Sequence, residues 1–280
     1  MRWLVRDISL LTFNLLQSLL SVFGRLIGII RFPVPPNSLM RKTSSRSLIH
    51  YYKSGLTTYL PIVTLARFYG IQMGPETNVL DFGCGVGRQL LHMVSDYPDP
   101  HYFACDVDAQ EVRFIQKNYP MVEAYVNEFN PPLKYADKSM NLIYSISTFS
   151  HFDRANQELW LRELFRVTKP GGICLLTTEG WRALEKLLPE FAEEEADPVM
   201  QMKKEGFLYK EYFHLRLGQK YKHLSPLLNS FQGISGSYGN TVMTPEFIKK
   251  NWTLAGFEVL GISEGVIDSR QDLVALRRPE

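Results

Sequence analysis

A chain of 280 residues is long enough for one large domain, or for a domain with an appendage. With 45% hydrophobic and 21% charged residues it is globular with a true core, which excludes disorder, collagen and a polytopic membrane protein as descriptions of the whole. A net charge of only +2 argues against a dedicated nucleic-acid binder. The charge is unevenly placed. Up to Arg46, seven basic residues (Arg2, Arg6, Arg25, Arg31, Arg41, Lys42, Arg46) face the single acid Asp7, giving +6; the remaining 24 basic and 28 acidic residues give −4. Cys84, Cys105 and Cys174 lie in or beside apolar runs without C-x-x-C spacing, so they read as buried thiols of a reducing compartment and predict no metal.

Taken in chain order, residues 3–30 come first, with Arg6, Asp7 and Arg25 as their only charges. On a wheel at 100° per residue, Leu4, Ile8, Leu11, Leu15, Leu19, Val22, Leu26 and Ile29 form one stripe, and Arg6, Asp7, Asn14, Gln17, Ser18, Ser21 and Arg25 gather opposite. This is the pattern of a helix lying in a membrane interface. A spanning helix, or one packed on protein, stays open: the uncharged run Ile8–Gly24 sits at the short limit of about 17 residues. No small-x-small cleavage site follows, so a secretory signal is not expected. Pro33, Pro35 and Pro36 break any helix, and Asn37–Ser47 reads as a polar, basic linker.

From about residue 46 onward, strand-like runs alternate with helical patterns. Asn78–Phe82, His101–Asp106, Met121–Val126, Met140–Ile146 and Gly172–Thr178 predict five strands, separated by helices near 87–97, 108–119 and 153–168. Asp108 and Glu111 predict a reciprocal capping box at the start of the second helix. Such alternation implies a parallel sheet covered on both faces. Two further strands are expected near 256–264 and 271–277, after a 181–250 insertion.

Val79-Leu80-Asp81-Phe82-Gly83-Cys84-Gly85-Val86-Gly87-Arg88 is the most informative segment. A glycine-rich turn between strand and helix lets a ligand approach the backbone. A dinucleotide fingerprint fails, because Arg88 occupies the sixth position and Gly87 falls one place early. Asp81 at the strand end would repel a pyrophosphate and attract a cation. No Gly-Lys-Ser/Thr follows, so a P-loop fails too. A ligand with adenine, ribose and positive charge but no phosphate fits.

Here the sequence resembles the class I S-adenosylmethionine-dependent methyltransferases, motif by motif over roughly residues 75–178 and more loosely beyond. Asp81, Gly83, Gly85 and Gly87 match the family's first motif, and Cys84 lies within it. The resemblance implies that the loop backbone holds the methionine part and that Asp81 helps orient its ammonium. It also implies that Asp106, 19 residues after Gly87 and close to the ~20 expected of a ribose acid, holds the ribose hydroxyls, with Val107 against the adenine. Val126-Asn127-Glu128-Phe129 is similar to the family's Gly-Asp-Ala segment, which implies Glu128 and Phe129 near the adenine, and Ser145 ends the fourth strand beside the cofactor. Thr168-Lys169-Pro170-Gly171-Gly172 is similar to Leu-Lys-Pro-Gly-Gly, a tight turn into the fifth strand.

Methyl transfer to a hydroxyl needs positioning and a base. His151, in the loop after the fourth strand, aligns with a histidine often present there in the family and titrates near neutrality; it reads as a base or as an anchor for the next helix. Glu179, after the fifth strand, is the second candidate. Asn130-Pro131-Pro132-Leu133 resembles the Asn-Pro-Pro-aromatic motif of amino-group methyltransferases acting on DNA or protein. It precedes the fourth strand and lacks a stacking ring, so it reads as a loop. In the insertion, the aromatic rings of Phe207–His214 suit a sugar or flat-ring substrate, or read more simply as a helix with an aromatic core face, and Tyr238, in a glycine-flanked loop, reads as either a lid contact or an ordinary loop residue.

The expected architecture is α/β: a Rossmann-like, doubly wound, seven-stranded, mostly parallel sheet with helices on both faces and an N-terminal amphipathic helix. Residues 1–45 form that helix and linker, and 46–280 the methyltransferase domain, with 181–250 as substrate lid. The resemblance to type 11 enzymes implies O-methylation of a small or lipid-linked, glycan-type acceptor by a cytoplasmic protein. Residues 1–32 are expected to make peripheral contact with the inner face of a membrane, and no nucleic-acid partner is expected. A quinone or polyketide ring methyltransferase and a non-catalytic cofactor-binding subunit are the alternatives.

Overall fold

A computed structural model describes residues 34–42, 47–191, 197–212 and 238–280. The Leu4–Ile29 stripe therefore lies outside the described residues, as do Phe213, His214, Gly236 and Ser237 of the insertion. Helices α1 (Asn37–Lys42) and α2 (Leu48–Phe68) lead into β1 (Asn78–Phe82), α3 (Leu90–Asp96), β2 (His101–Asp106), α4 (Ala109–Asn118), β3 (Val122–Val126) and β4 (Met140–Ser145). Then come α5 (Arg154–Val167), β5 (Thr168–Glu179), α6 (Trp181–Phe191), α7 (Pro198–Glu205), β6 (Phe207–Glu211), β7 (Gly239–Met243), α8 (Pro245–Asn251), β8 (Glu258–Ile267) and β9 (Gln271–Arg277).

The central strands are apolar on both faces because both are covered. Alternate residues enter opposite cores. Val79, Leu142, Tyr144, Ile173 and Leu175 pack with Ile62, Val63 and Ala66 of α2, Leu90 and Met93 of α3, and Val112 and Ile115 of α4. Leu80, Phe82, Ile143, Cys174 and Leu176 pack with Trp160, Leu161 and Leu164 of α5 and with Phe247 and Ile248 of α8. Loop residue Leu133, from the Asn-Pro-Pro segment, joins this second core.

Strands β3-β2-β1-β4-β5 are parallel neighbours; β9 lies antiparallel to β5 from Ile173↔Arg277 to Glu179↔Gln271, and β8 antiparallel to β9. Those are the seven expected strands. Two more come from the insertion, making nine among the described residues: β6 and β7 form an antiparallel pair, and β7 joins β5 at Glu179↔Val242. The last β4 pairing is Ser145↔Leu176, so β5 runs past β4 and β7 takes the vacant edge. It is fastened there by Thr241 N–H donating to Ser150 O (2.8 Å) and Gly239 N–H donating to His151 O (2.9 Å).

Two sequence expectations need correcting. Phe207–Glu211 is a strand, not a helix: Phe207 enters the second core while Leu208 packs with Leu184, Leu187 and Val242 of a separate cluster, the alternation of a pleated chain. Residues 37–42 are helix rather than linker. The helix begins just after Pro36, whose carbonyl accepts from Leu39 and Met40 N–H, and Leu39 and Met40 are buried against Tyr51, Val86 and Leu91. At α4 the capping box is one-sided: Asp108 Oδ1 accepts from both Gln110 N–H (2.8 Å) and Glu111 N–H (3.3 Å), and no return bond from the Glu111 side chain is present. The three cysteines are buried and free, and no group of side chains among the described residues could hold a metal ion.

Candidate active site

The carboxyl ends of β1, β2 and β4 open into a cavity of about 610 Å³. The loop after β1 forms its floor. Gly83 N–H and Cys84 N–H both donate to Cys105 O, at 2.9 and 3.0 Å, which folds the loop over the end of β2. Gly83 has φ +78°, and a Cβ there would lie 2.4 Å from Thr148 Oγ1; Gly85 has φ +51° and lines the cavity directly. Gly87 does not line the cavity. A Cβ on it would sit 2.6 Å from Ile115 Cδ1, so it sets the approach of the loop to α4.

One half of the cavity is acidic. Asp106 lines it, with Oδ2 accepting from Gly85 N–H and Oδ1 from Asp108 N–H, both at 2.9 Å. Desolvation raises its pKa, against the pull of those backbone donors. Asp108 and Glu111 line the same side, Lys42 pairs with Asp108, and Glu111 Oε1 is buried without a hydrogen-bond partner. Burial pushes the Glu111 carboxyl up to about 8, with Asp106 and Asp108 adding to the rise. Asp81 lies buried beneath the loop, outside the cavity wall, and accepts from Tyr144 O–H at 3.0 Å. Burial pushes it up to about 8 as well, with the Tyr144 bond opposing and Asp106 adding. A set of buried carboxyls held above their usual range, beside a cradle of backbone and glycine, suits a cationic ligand with hydroxyls: the ribose and sulfonium of S-adenosylmethionine fit.

The other predicted residues fall as follows. Cys84 lines the cavity, but burial raises its thiol well above the ordinary range. Val107 (37% exposed) and Phe129 are in the wall. Glu128 is exposed and outside it, whereas its neighbour Asn127 is buried and lines it. Ser145 lies underneath, donating from Oγ to Phe82 O at 2.7 Å, and Ile146, Ser147 and Thr148 line the cavity in its place.

The second half of the cavity is aromatic and basic. His151 lines it, its ring 4.9 Å from that of Tyr238. His151 Nδ1 is 2.8 Å from Gly239 O, and a carbonyl can only accept, so Nδ1 carries the proton and Nε2 holds the lone pair. Tyr212, of the Phe207–His214 segment, places its hydroxyl 2.9 Å from the same Nδ1 and donates to Asn240 Oδ1 at 3.1 Å. Burial lowers the His151 pKa, the Gly239 bond opposes, and Arg270 lowers it further. Glu179 is buried at the end of β5 and ion-paired with Arg270, which lines the cavity; Glu179 itself does not. Ser147 holds φ +61°, donating from N–H to Thr177 Oγ1 at 2.7 Å and from Oγ to Gln271 Oε1 at 3.0 Å, a strained non-glycine residue at the cavity wall. Arg270 carried no motif in the sequence, and Gln271 only the start of the last expected strand; the β8–β9 turn brings both in.

Residues 79–172 match the family described as "Methyltransferase domain". A malonyl-[acyl-carrier protein] O-methyltransferase of Dechloromonas aromatica is 28% identical, over 57% of this chain and 57% of its own length. A 2-methyl-6-phytyl-1,4-hydroquinone methyltransferase of Synechocystis is 28% identical over 49% of this chain and 42% of its own. The chain thus spans about half the length of these curated relatives. An S-adenosylmethionine-dependent methyltransferase of Methanosarcina mazei shares the fold, with TM-score 0.52 at 16% identity, over 77% of this chain and 97% of that one. Glycine loop, acidic half-site and these likenesses agree: they support a class I S-adenosylmethionine-dependent methyltransferase domain around residues 79–172, with a site that suits S-adenosylmethionine.

Proposed function

We propose that the protein methylates a hydroxyl group of a small or lipid-linked acceptor, with His151 as the general base. The supporting observation is the fixed tautomer: Nδ1–H is committed to Gly239 O, which leaves Nε2 to take the acceptor's proton. A pKa held below the usual histidine value keeps the ring neutral, the form a base requires. Bound S-adenosylmethionine supplies an electrophilic methyl carbon, and S-adenosylhomocysteine is the second product. The glycine loop cradles the methionine part, Asp106 and Val107 hold the nucleoside, Asp81 acts on the ammonium from beneath the loop, and the rings of Phe129, Phe152 and Tyr238 exclude water from the acceptor side. The same rings also favour a flat acceptor, so a quinol or polyketide ring is the second reading. Incubation with methyl-labelled S-adenosylmethionine and separate polar and lipid extracts tests the proposal: label in an ether or ester is expected, and label found only on carbon or nitrogen would replace it.

Asp81 makes cofactor binding pH-dependent. Its carboxyl is neutral below about 8 in the free protein, and a cation beside it favours ionisation. Binding therefore releases a proton, and affinity should rise as pH approaches about 8 from below. Calorimetry in two buffers of different ionisation enthalpy should record the release, and Asp81→Asn should remove it; an equal release in the variant would assign the proton to another group, Glu111 first.

Peripheral membrane contact through residues 1–32 is part of the proposal. It is supported by the apolar stripe and by the N-terminal +6, at about 1 kcal/mol per basic residue near anionic lipid. Among the described residues no helix is long and apolar enough to cross a membrane. Full-length protein should co-sediment with anionic vesicles, and the double change Leu11→Glu, Leu15→Glu should release it with cofactor binding intact. Equal sedimentation of both proteins would remove the membrane reading.

A further inference from the structure

We infer that the acceptor carries an anionic group, a carboxylate or phosphate, gripped by Arg270 and Lys186, with Glu179 as the positioning residue that aims Arg270. The inference rests on the methyl-transfer reading of the same cavity and names the class of its acceptor. Arg270 sits on the β8–β9 turn, where Asp268 (φ +50°) and Ser269 (φ +54°) hold left-handed backbone without glycine and Arg270 N–H donates to Ile267 O at 3.0 Å. Positive φ at both central residues is what a tight hairpin turn of this kind requires. The turn places a guanidinium at the cavity wall, with one face on the Glu179 carboxylate and its side chain still 42% exposed.

A guanidinium offers five donors in a planar fork, so a single carboxylate leaves much of it available. Lys186 of α6 is exposed, lines the same cavity and has no acidic partner among the described residues. The acids of the cavity are elsewhere engaged. Asp106, Asp108 and Glu111 belong to the nucleoside half with Lys42 on Asp108, and Asp268 stabilises the Arg88 cation. With Arg270 paired to Glu179, Lys186 is the acceptor-half charge that the described residues do not balance. Arg270 also acts on the chemistry, since its charge disfavours a proton on His151. An acceptor anion seated on Arg270 cancels that field, so the base gains proton affinity as the acceptor arrives. Glu179, buried and paired, is thereby a holder of Arg270 and not a base.

The test uses full-length protein loaded with S-adenosylhomocysteine and titrated calorimetrically with benzoate, phenyl phosphate and neutral benzyl alcohol. At least one anion should bind about tenfold or more tightly than the alcohol, with an affinity that falls as salt rises. Which anion wins distinguishes a carboxylate from a phosphate acceptor. Arg270→Gln and Lys186→Gln should each erase most of that preference while S-adenosylhomocysteine affinity is unchanged; Lys186 is exposed, so its variant does not depend on refolding a buried site. Glu179→Gln should weaken the anion and also shift the His151 imidazole titration seen by NMR, which a merely structural role would not move. Anions binding no better than the alcohol, or a preference that survives Arg270→Gln, would overturn the inference. Failure of S-adenosylhomocysteine to bind would overturn the methyl-transfer reading itself, and this inference with it.

Discussion

A Gly85→Val variant is expected to keep its fold and lose measurable affinity for S-adenosylmethionine. Gly85 combines φ +51° with a place in the cavity wall, and its N–H is held 2.9 Å from Asp106 Oδ2. A β-branched residue is strained at that φ by roughly 1–2 kcal/mol, and its methyl groups would occupy the space the cofactor needs. The strain is small beside the stability of a domain, so thermal unfolding should show a cooperative transition shifted by a few degrees only. Asp106→Ala is the milder companion: each lost charge-assisted bond to the ribose should cost about 1.5–3 kcal/mol. Calorimetric titration decides both. Unchanged affinity in the two variants would refute the site, and so would NADH binding as tightly as S-adenosylhomocysteine.

The second large effect is expected at His151. Replacing it by Ala should lower turnover by about 100- to 10,000-fold, the usual contribution of a positioned general base. Affinity for the cofactor should hardly change, because the imidazole lies among Tyr212, Tyr238 and Gly239 rather than against the glycine loop. The sign of the pH dependence follows from the lowered pKa. Activity should fall only as pH drops below the ordinary histidine range, where the ring at last takes a proton, and the variant's profile should lose that acidic limb. Rates equal to those of the parent protein would leave catalysis to positioning alone.

Much of this was legible because burial on both faces writes a simple pattern. β1, β2, β4 and the core of β5 each present a mostly apolar run, and the observed strands sit within a few residues of those runs. The glycine loop was equally plain, since its residue types are imposed by backbone geometry and not by a distant partner. What escaped depends on such partners. β6 is a strand only because β7 lies beside it, some thirty residues later, and its Phe-Leu-Tyr run taken alone suits a helix as well. α1 hides among prolines because the surface it covers, around Val86 and Leu91, is made by other elements. Asn127 rather than Glu128 reaches the cavity because a single-residue step at the end of β3 turns a side chain to the other side, and no spacing rule resolves one residue. Tyr212, Lys186 and Arg270 come from three separate segments that only the folded chain brings together.

The β6–β7 pair touches β5 at one position yet meets His151 twice through Gly239, by its amide on the His151 carbonyl and by its carbonyl on the imidazole. Both contacts are made by main chain, and that main chain needs glycine: a Cβ on residue 239 would lie 2.0 Å from Lys210 O. Any strand pair that preserves this backbone path, with Gly239 and the Tyr212 hydroxyl in place, would keep the imidazole in its working tautomer. The other side chains of β6 and β7 are thus exchangeable without rebuilding the base beside them.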